Sequence, residues 1–285
     1  MPYITVGREN SGNIELHYED YGSGTPIICI HGYPLSGRAW EKQIPMLVEL
    51  GYRVISYDRR GFGNSSQPWT GYNYDTFAED LHMLIGALKL QEFALMGHSM
   101  GGGELARYTG KYGTSGVTKM IFVAAIPPYL RKAPDNPEGV DANVFEQIRK
   151  AVIADRPAFM AKFFEDFYNV DQLGGKRISE HDVLADWHTA VHASPRAAVE
   201  CVDTWGTDFR NDLKRIDVPA LVIQGDQDRI VPLKNSGARM PGMIKGCRLI
   251  VIQGAPHGLA WTHAEELNRA VSEFLGRAGR GPKVA

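Results

Sequence analysis

Cysteine is scarce in this chain. Cys29, Cys201 and Cys247 are the whole complement, odd in number and scattered. No pair has metal-ligand spacing, and the set offers no disulfide framework, so the three read as reduced, mostly buried and structural. Long apolar runs are missing as well. None approaches the ~18 residues that a membrane span needs, and the first ten residues hold no apolar signal core. Charge of one sign never gathers into a block. The formal net charge is −2, from 31 basic and 33 acidic residues, which argues against a nucleic-acid surface or a polybasic membrane patch. Internal repeats and low-complexity tracts are absent too. What is present is a 285-residue chain, 44% hydrophobic and 22% charged. That is an ordinary globular balance, long enough for one large domain or a domain with an insertion. The expected setting is cytoplasmic, with neither nucleic acid nor membrane as partner. Oligomeric state is left open, a homo-oligomer included.

The apolar residues that are there fall into short runs. Residues 3–6 and 14–21 alternate apolar and polar side chains around Glu9-Asn10-Ser11-Gly12, the pattern of an antiparallel hairpin at a sheet edge. Continuous apolar runs at 26–30, 52–57, 93–96, 119–125, 218–225 and 248–252 read as strands buried on both faces. Helical patterns lie between them, over about 39–50, 74–89, onward from Glu104, near 233–240 and over about 262–276. This alternation predicts an α/β fold with a mostly parallel eight-stranded sheet flanked by helices. The rhythm breaks at Pro127-Pro128, after the sixth strand. From about 131 to 213 the patterns are helical and rich in aromatics. Residues 131–213 are therefore expected to form a helical cap, inserted into a core domain made of 1–130 and 214–285. The Gly/Lys/Arg-rich tail, 277–285, is expected to fray.

One stretch organises the rest. Phe93-Ala94-Leu95-Met96 reads as a buried strand, Gly97-His98-Ser99-Met100-Gly101 follows, and Glu104 to Tyr108 reads as a helix. Strand, tight turn and helix make Gly-x-Ser-x-Gly a nucleophile elbow. Side chains at Gly97 and Gly101 would collide with the flanking strand and helix. Ser99 then projects from the C-terminal edge of the sheet, and the backbone N–H of Met100 can meet an oxyanion there. A serine nucleophile needs a base, and the base an orienting carboxylate. Gly225-Asp226-Gln227-Asp228 and Pro256-His257-Gly258 follow two later strands, at the sheet edge where sites form in open α/β sheets. Asp226 and Asp228 compete for the acid. His31 reads as a brace for its own loop, and Asp58-Arg59-Arg60 as a salt-bridged turn. His188 and His192 sit i, i+4 but lack a metal-binding pattern, so no metal site is expected.

These motifs carry a resemblance. The chain resembles the α/β-hydrolases from about residue 14 to 276. More narrowly, it is similar to the cofactor-free haloperoxidase/perhydrolase group of serine esterases. The matching stretches are His31–Leu35, Tyr57–Gly63, Gly97–Glu104 and Gly254–Leu259. Asp135–Val140, Phe167–Asn169, Arg177–Glu180 and Trp261–Ala264 are similar to the bacterial (+)-γ-lactamases of that group. His98 departs from the phenylalanine more usual there. The resemblance implies the α/β-hydrolase fold, with Ser99 as nucleophile and His257 as base. The group's spacing to Val231-Pro232 selects Asp228 as the acid, leaving Asp226 to local turn bonds. Backbone N–H groups of Tyr33 and Met100 are the implied oxyanion donors. Tyr33, His98, Phe163 and Trp205 are the expected pocket walls. No cofactor and no metal are implied.

The expected function is a serine hydrolase that cleaves small carboxylic esters, a bicyclic γ-lactam, or both, through an acyl-enzyme. Interception of the acyl-enzyme by peroxide would add perhydrolase or haloperoxidase side activity. The partner is then a small-molecule ester or lactam. The alternatives are a plain short-chain carboxylesterase, a hydroxynitrile lyase that keeps the Ser-His-Asp set, and a non-turnover ligand receptor. Dehalogenases and epoxide hydrolases of this fold are set aside, because they need aspartate where Ser99 stands.

Overall fold

The apolar runs become strands, and each strand is apolar on both sides because both faces of the sheet are covered. A computed structural model describes residues 2–278. Its strands are β1 (Tyr3–Glu9), β2 (Gly12–Gly22), β3 (Thr25–Ile30), β4 (Tyr52–Tyr57), β5 (Phe93–His98), β6 (Val117–Val123), β7 (Ala220–Gly225) and β8 (Arg248–Ile252). They form one eight-stranded sheet in the order β1-β2-β4-β3-β5-β6-β7-β8. β1 and β2 make the expected antiparallel hairpin, and β2 pairs antiparallel with β4; from β4 to β8 all pairings are parallel. Along β5, Leu95 faces one core together with Ile28, Ile30 and Phe122. Ala94 and Met96 face the other, with Ile27, Cys29 and Ile121. Alternate residues of one strand thus serve two cores, which is why no polar alternation marks these segments.

The helices are α1 (Ile44–Glu49), α2 (Tyr74–Ala87), α3 (Met100–Tyr112), a group between β6 and β7, and two at the C-terminal side. The middle group is α4 (Ala142–Ala154), α5 (Arg156–Tyr168), α6 (Val170–Leu173), α7 (Glu180–His192), α8 (Pro195–Thr204) and α9 (Arg210–Leu213). Then come α10 (Leu259–Thr262) and α11 (Ala264–Leu275). Asn73 starts α2 by accepting the Thr76 N–H at 3.0 Å. No helix among the described residues is long and apolar enough to cross a membrane.

Three helices differ from the sequence expectation. The stretch 39–50 divides into a 3₁₀ turn, Gly37–Trp40, and α1, which has Pro45 in its first turn. Proline donates no N–H, so it suits a helix start better than a helix interior. The stretch 233–240 is two 3₁₀ turns, Leu233–Asn235 and Gly237–Gly242. Ser236 separates them, with φ −133°, because its hydroxyl and the Gly237 N–H both donate to Gln224 Oε1 at 3.0 Å. The last helix starts at Ala264, after the separate turn α10 and a His263 whose φ −127° and ψ +41° are not helical. Of the tail expected to fray, Ala278 donates its N–H to Leu50 O at 3.0 Å; residues 279–285 lie outside the described residues.

Candidate active site

The end of β5 is built around one strained residue. Ser99 has φ +54° and ψ −116°, outside the regions that L-residues favour. Its backbone is held on both sides: Ser99 N–H donates to Val123 O at 2.9 Å, and Ile126 N–H donates to Ser99 O at 3.2 Å. A Cβ on Gly97 would come within 2.6 Å of Gly101 O, and one on Gly101 within 2.4 Å of Ile30 O. The two glycines let strand, turn and helix approach closely enough to hold that geometry.

Ser99 Oγ lies 2.8 Å from His257 Nε2, and His257 Nδ1 lies 2.8 Å from Asp228 Oδ2. A carboxylate only accepts, so Nδ1–H donates to Asp228 and Nε2 is left to accept the Ser99 hydroxyl proton. Asp228 is oriented by three further contacts. Its Oδ1 accepts the N–H groups of Ile230 (3.0 Å) and Val231 (2.8 Å), and its Oδ2 accepts Gln224 Nε2–H at 3.3 Å; the Gln224 amide is itself fixed by donating to Val231 O at 2.6 Å. Asp226 points elsewhere and accepts the Gly254 N–H at 2.7 Å.

Beside Ser99 runs the loop after β3. A Cβ on Gly32 would fall 2.9 Å from Ser99 Cβ and 2.8 Å from His98 Nδ1, so the backbone at Gly32 lies directly against the serine. His31 braces this loop: its Nδ1–H donates to Gly32 O at 2.8 Å and its Nε2 accepts the Arg59 N–H at 2.9 Å. Burial and then the Arg59 charge hold its pKa well below the usual range, so the ring is neutral and can do both. Arg59 Nε pairs with buried Glu104 at 2.7 Å and Arg60 pairs bidentately with Asp80 at 2.6 Å, tying the turn to α3 and α2. Met100 is the first residue of α3, so its N–H is one of those a helix start leaves without an intrahelical partner.

Ser99 opens on a cavity of about 260 Å³ with mainly apolar walls. Tyr33, Phe163 and Trp205 are in its lining, with Ile126 and Leu130. The Tyr33 ring meets Trp205 and Phe163 edge-to-face at 5.0 and 6.0 Å, and its hydroxyl donates to Ala198 O at 3.0 Å, which fixes the ring. His98, expected in the wall, is placed elsewhere. It lies behind His257, packs against Trp40 and Phe167, and its Nε2–H donates to His257 O at 3.1 Å. Burial, and then His257, push its pKa down to about 3, so it stays neutral. Strand parity is the signal that would have found this: His98 has the parity of Ala94 and Met96, whose side chains face the core with Trp40 and α11. His188 and His192 stack 6.2 Å apart on α7, with His192 Nδ1–H donating to His188 O at 2.7 Å.

Residues 167–169 touch both loops that carry the His257–Asp228 pair, and sequence reasoning named them only for their resemblance. The Phe167 ring stands edge-on to His257 at 5.1 Å. The Tyr168 hydroxyl donates to the buried carboxylate of Asp186 on α7. Burial raises the Asp186 pKa from 3.8 to about 6. The folded state then binds this proton more tightly than the unfolded chain does. Stability is therefore lost as pH rises from the unfolded toward the folded pKa, and the full cost remains above it. Asp186→Asn keeps an acceptor for Tyr168 and removes the ionisation. The variant should gain about 1–3 kcal/mol on the wild type between pH 4 and pH 7.5. Urea unfolding at both pH values measures this; an unchanged difference would contradict it.

Comparison with known proteins adds lineage to this geometry. The family model described as α/β hydrolase fold matches residues 25–264. A protein of Synechocystis sp., provisionally named a non-heme chloroperoxidase, is 54% identical over 275 residues, covering 96% of this chain and 100% of its own. The bifunctional esterase/perhydrolase of Acinetobacter calcoaceticus is 33% identical over 283 residues, covering 96% of this chain and 99% of its own. The crystal structure of bromoperoxidase from Bacillus anthracis superposes with a TM-score of 0.92 at 47% identity, over 96% of this chain and 99% of that one.

Proposed function

The chain belongs to the α/β-hydrolase fold family, and from that premise we propose that it is a serine hydrolase working through an acyl-enzyme on Ser99. The observation that carries the reading is the unbroken path of two 2.8 Å contacts from Ser99 through His257 to Asp228, with Ser99 in the lining of the apolar cavity. Ser99 Oγ attacks the substrate carbonyl carbon as His257 Nε2 takes its proton. Asp228 stabilises the imidazolium. The N–H groups of Tyr33 and Met100 receive the oxyanion. His257 then gives its proton to the leaving oxygen or nitrogen as the tetrahedral intermediate collapses. Water releases the acid, or hydrogen peroxide intercepts the acyl-enzyme and releases a peracid. The segment 131–213 serves as a cap over this site, contributing Phe163 and Trp205 to the walls.

For substrate, we infer small esters with an apolar acyl part and a strained bicyclic γ-lactam, with perhydrolysis as a further outlet. The cavity's volume and aromatic walls favour a compact apolar acyl group over a long lipid chain. The names of the relatives, an esterase/perhydrolase and haloperoxidases, favour the peroxide outlet. The test is one screen of the purified protein on p-nitrophenyl esters, on a racemic bicyclic γ-lactam followed by chiral chromatography, and on peracid formation from acetate and peroxide. Steady ester turnover with consumption of one lactam enantiomer is the expected result. Ester turnover with neither enantiomer consumed would reduce the reading to a carboxylesterase; no turnover of any ester would reduce it to a ligand receptor.

A further inference from the structure

We propose that the α5–α6 junction holds the His257–Asp228 half of the site in register, and that Asn169 is its principal positioning residue; the inference rests on the serine-hydrolase reading above. The argument begins with where the bonds land. Asn169 Nδ2–H donates to Gln227 O at 2.9 Å, and Gln227 directly precedes Asp228. Arg229, which directly follows Asp228, grips Asp171 through two nitrogens at 2.8 and 3.1 Å. Phe167 O accepts the N–H of Gly258, the residue after His257, at 2.8 Å. A five-residue stretch, 167–171, therefore bonds to both neighbours of the acid and to one neighbour of the base.

Packing points the same way. A Cβ on Gly258 would sit 2.3 Å from Tyr168 Cε1 and 2.7 Å from Phe167 Cε1, so the two rings press on the backbone beside His257. Asn169 itself is 1% exposed and sits in the left-handed region at φ +49°, ψ +52°. Asparagine tolerates that conformation better than most residues. There it ends α5 and starts α6, since its own carbonyl accepts the N–H groups of Gln172 and Leu173, both at 2.9 Å. The turn thus aims the amide at Gln227 while Phe167, two residues earlier, faces His257. Arg229 also lines the cavity that Ser99 opens on; Phe167, Tyr168 and Asn169 make no hydrogen bond to Ser99 Oγ, whose side-chain partner is His257. They act through Asp228 and His257, and small misplacements of such groups are costly to rate while leaving substrate affinity largely alone.

The test uses the full chain and Asn169→Gly, which accepts the left-handed backbone and deletes the side chain that carries the amide. The expected result is a folded protein whose kcat for an activated ester falls about 10–100-fold with KM within about twofold of wild type. The discriminating readout is the same change made in a His257→Ala background. With the base gone there is nothing left to position, so Asn169→Gly should cost less than about twofold there. A kcat within twofold of wild type would overturn the proposal, and so would an equal loss in both backgrounds, the mark of a merely structural role. If Asn169→Gly does not fold, Asp171→Ala, which removes the partner of Arg229 at a 60% exposed side chain outside the cavity lining, is read on kcat in the same two backgrounds by the same criteria. Failure of the underlying reading looks different: His257→Ala would then remain active by itself.

Discussion

Ser99→Ala is expected to lower ester turnover by about 10⁴-fold or more while the protein stays folded, because loss of a triad member leaves only the residual catalysis of binding and the oxyanion donors. The size of the loss follows from the geometry. No other hydroxyl is placed 2.8 Å from His257 Nε2 among the described residues. Persistence of the fold follows from the elbow's construction. Its strain is borne by Ser99 N–H to Val123 O, by Ile126 N–H to Ser99 O and by the close approaches at Gly97 and Gly101, all of which alanine retains. Steady-state kinetics on an activated ester, with a thermal melt as control, measure both halves. A variant that keeps more than about a tenth of wild-type kcat would remove Ser99 from the mechanism.

The second large effect separates the two aspartates. His257→Ala should cost as much as loss of Ser99, since nucleophile and base act as one unit. Asp228→Asn should cost somewhat less, up to about 10⁴-fold in kcat, because an amide can donate to His257 Nδ1 and so favour the wrong tautomer. The three contacts that Asp228 makes besides His257 keep the substituted side chain in place, so the loss reads on chemistry. Asp226→Asn should stay within about threefold of wild type, as befits an exposed turn contact near ~1 kcal/mol or less; what it gives up is one bond to the Gly254 N–H, which the amide oxygen can replace. Kinetics on the three variants decide the matter. A larger loss for Asp226→Asn than for Asp228→Asn would move the acid to the other position.

How much of this could be read from residues alone depends on whether a feature is local. The sheet was legible because burial on both faces writes each strand as an apolar run, as in Ile27–Ile30 and Leu221–Ile223. The elbow was legible because Gly97 and Gly101 answer close backbone contacts that few other patterns require. Helix ends were less so. Gln224 breaks the 233–240 pattern by capturing Ser236 and Gly237 from the end of a strand, a side-chain bond between two elements that apolar periodicity does not register. The resemblance puts His98 in the wall, whereas strand parity sets it with Ala94 and Met96 on the face that packs against Trp40. The grip of residues 167–171 on the loops of Asp228 and His257 joins positions some 60 and 90 apart along the chain, so it needed the fold to be seen.

The most direct measurement is reaction with a fluorophosphonate, read by intact mass and peptide mapping. The account predicts a single adduct, on Ser99, with ester turnover lost in step with labelling and no adduct in Ser99→Ala. An adduct on another residue, or full ester turnover with Ser99 modified, would contradict it.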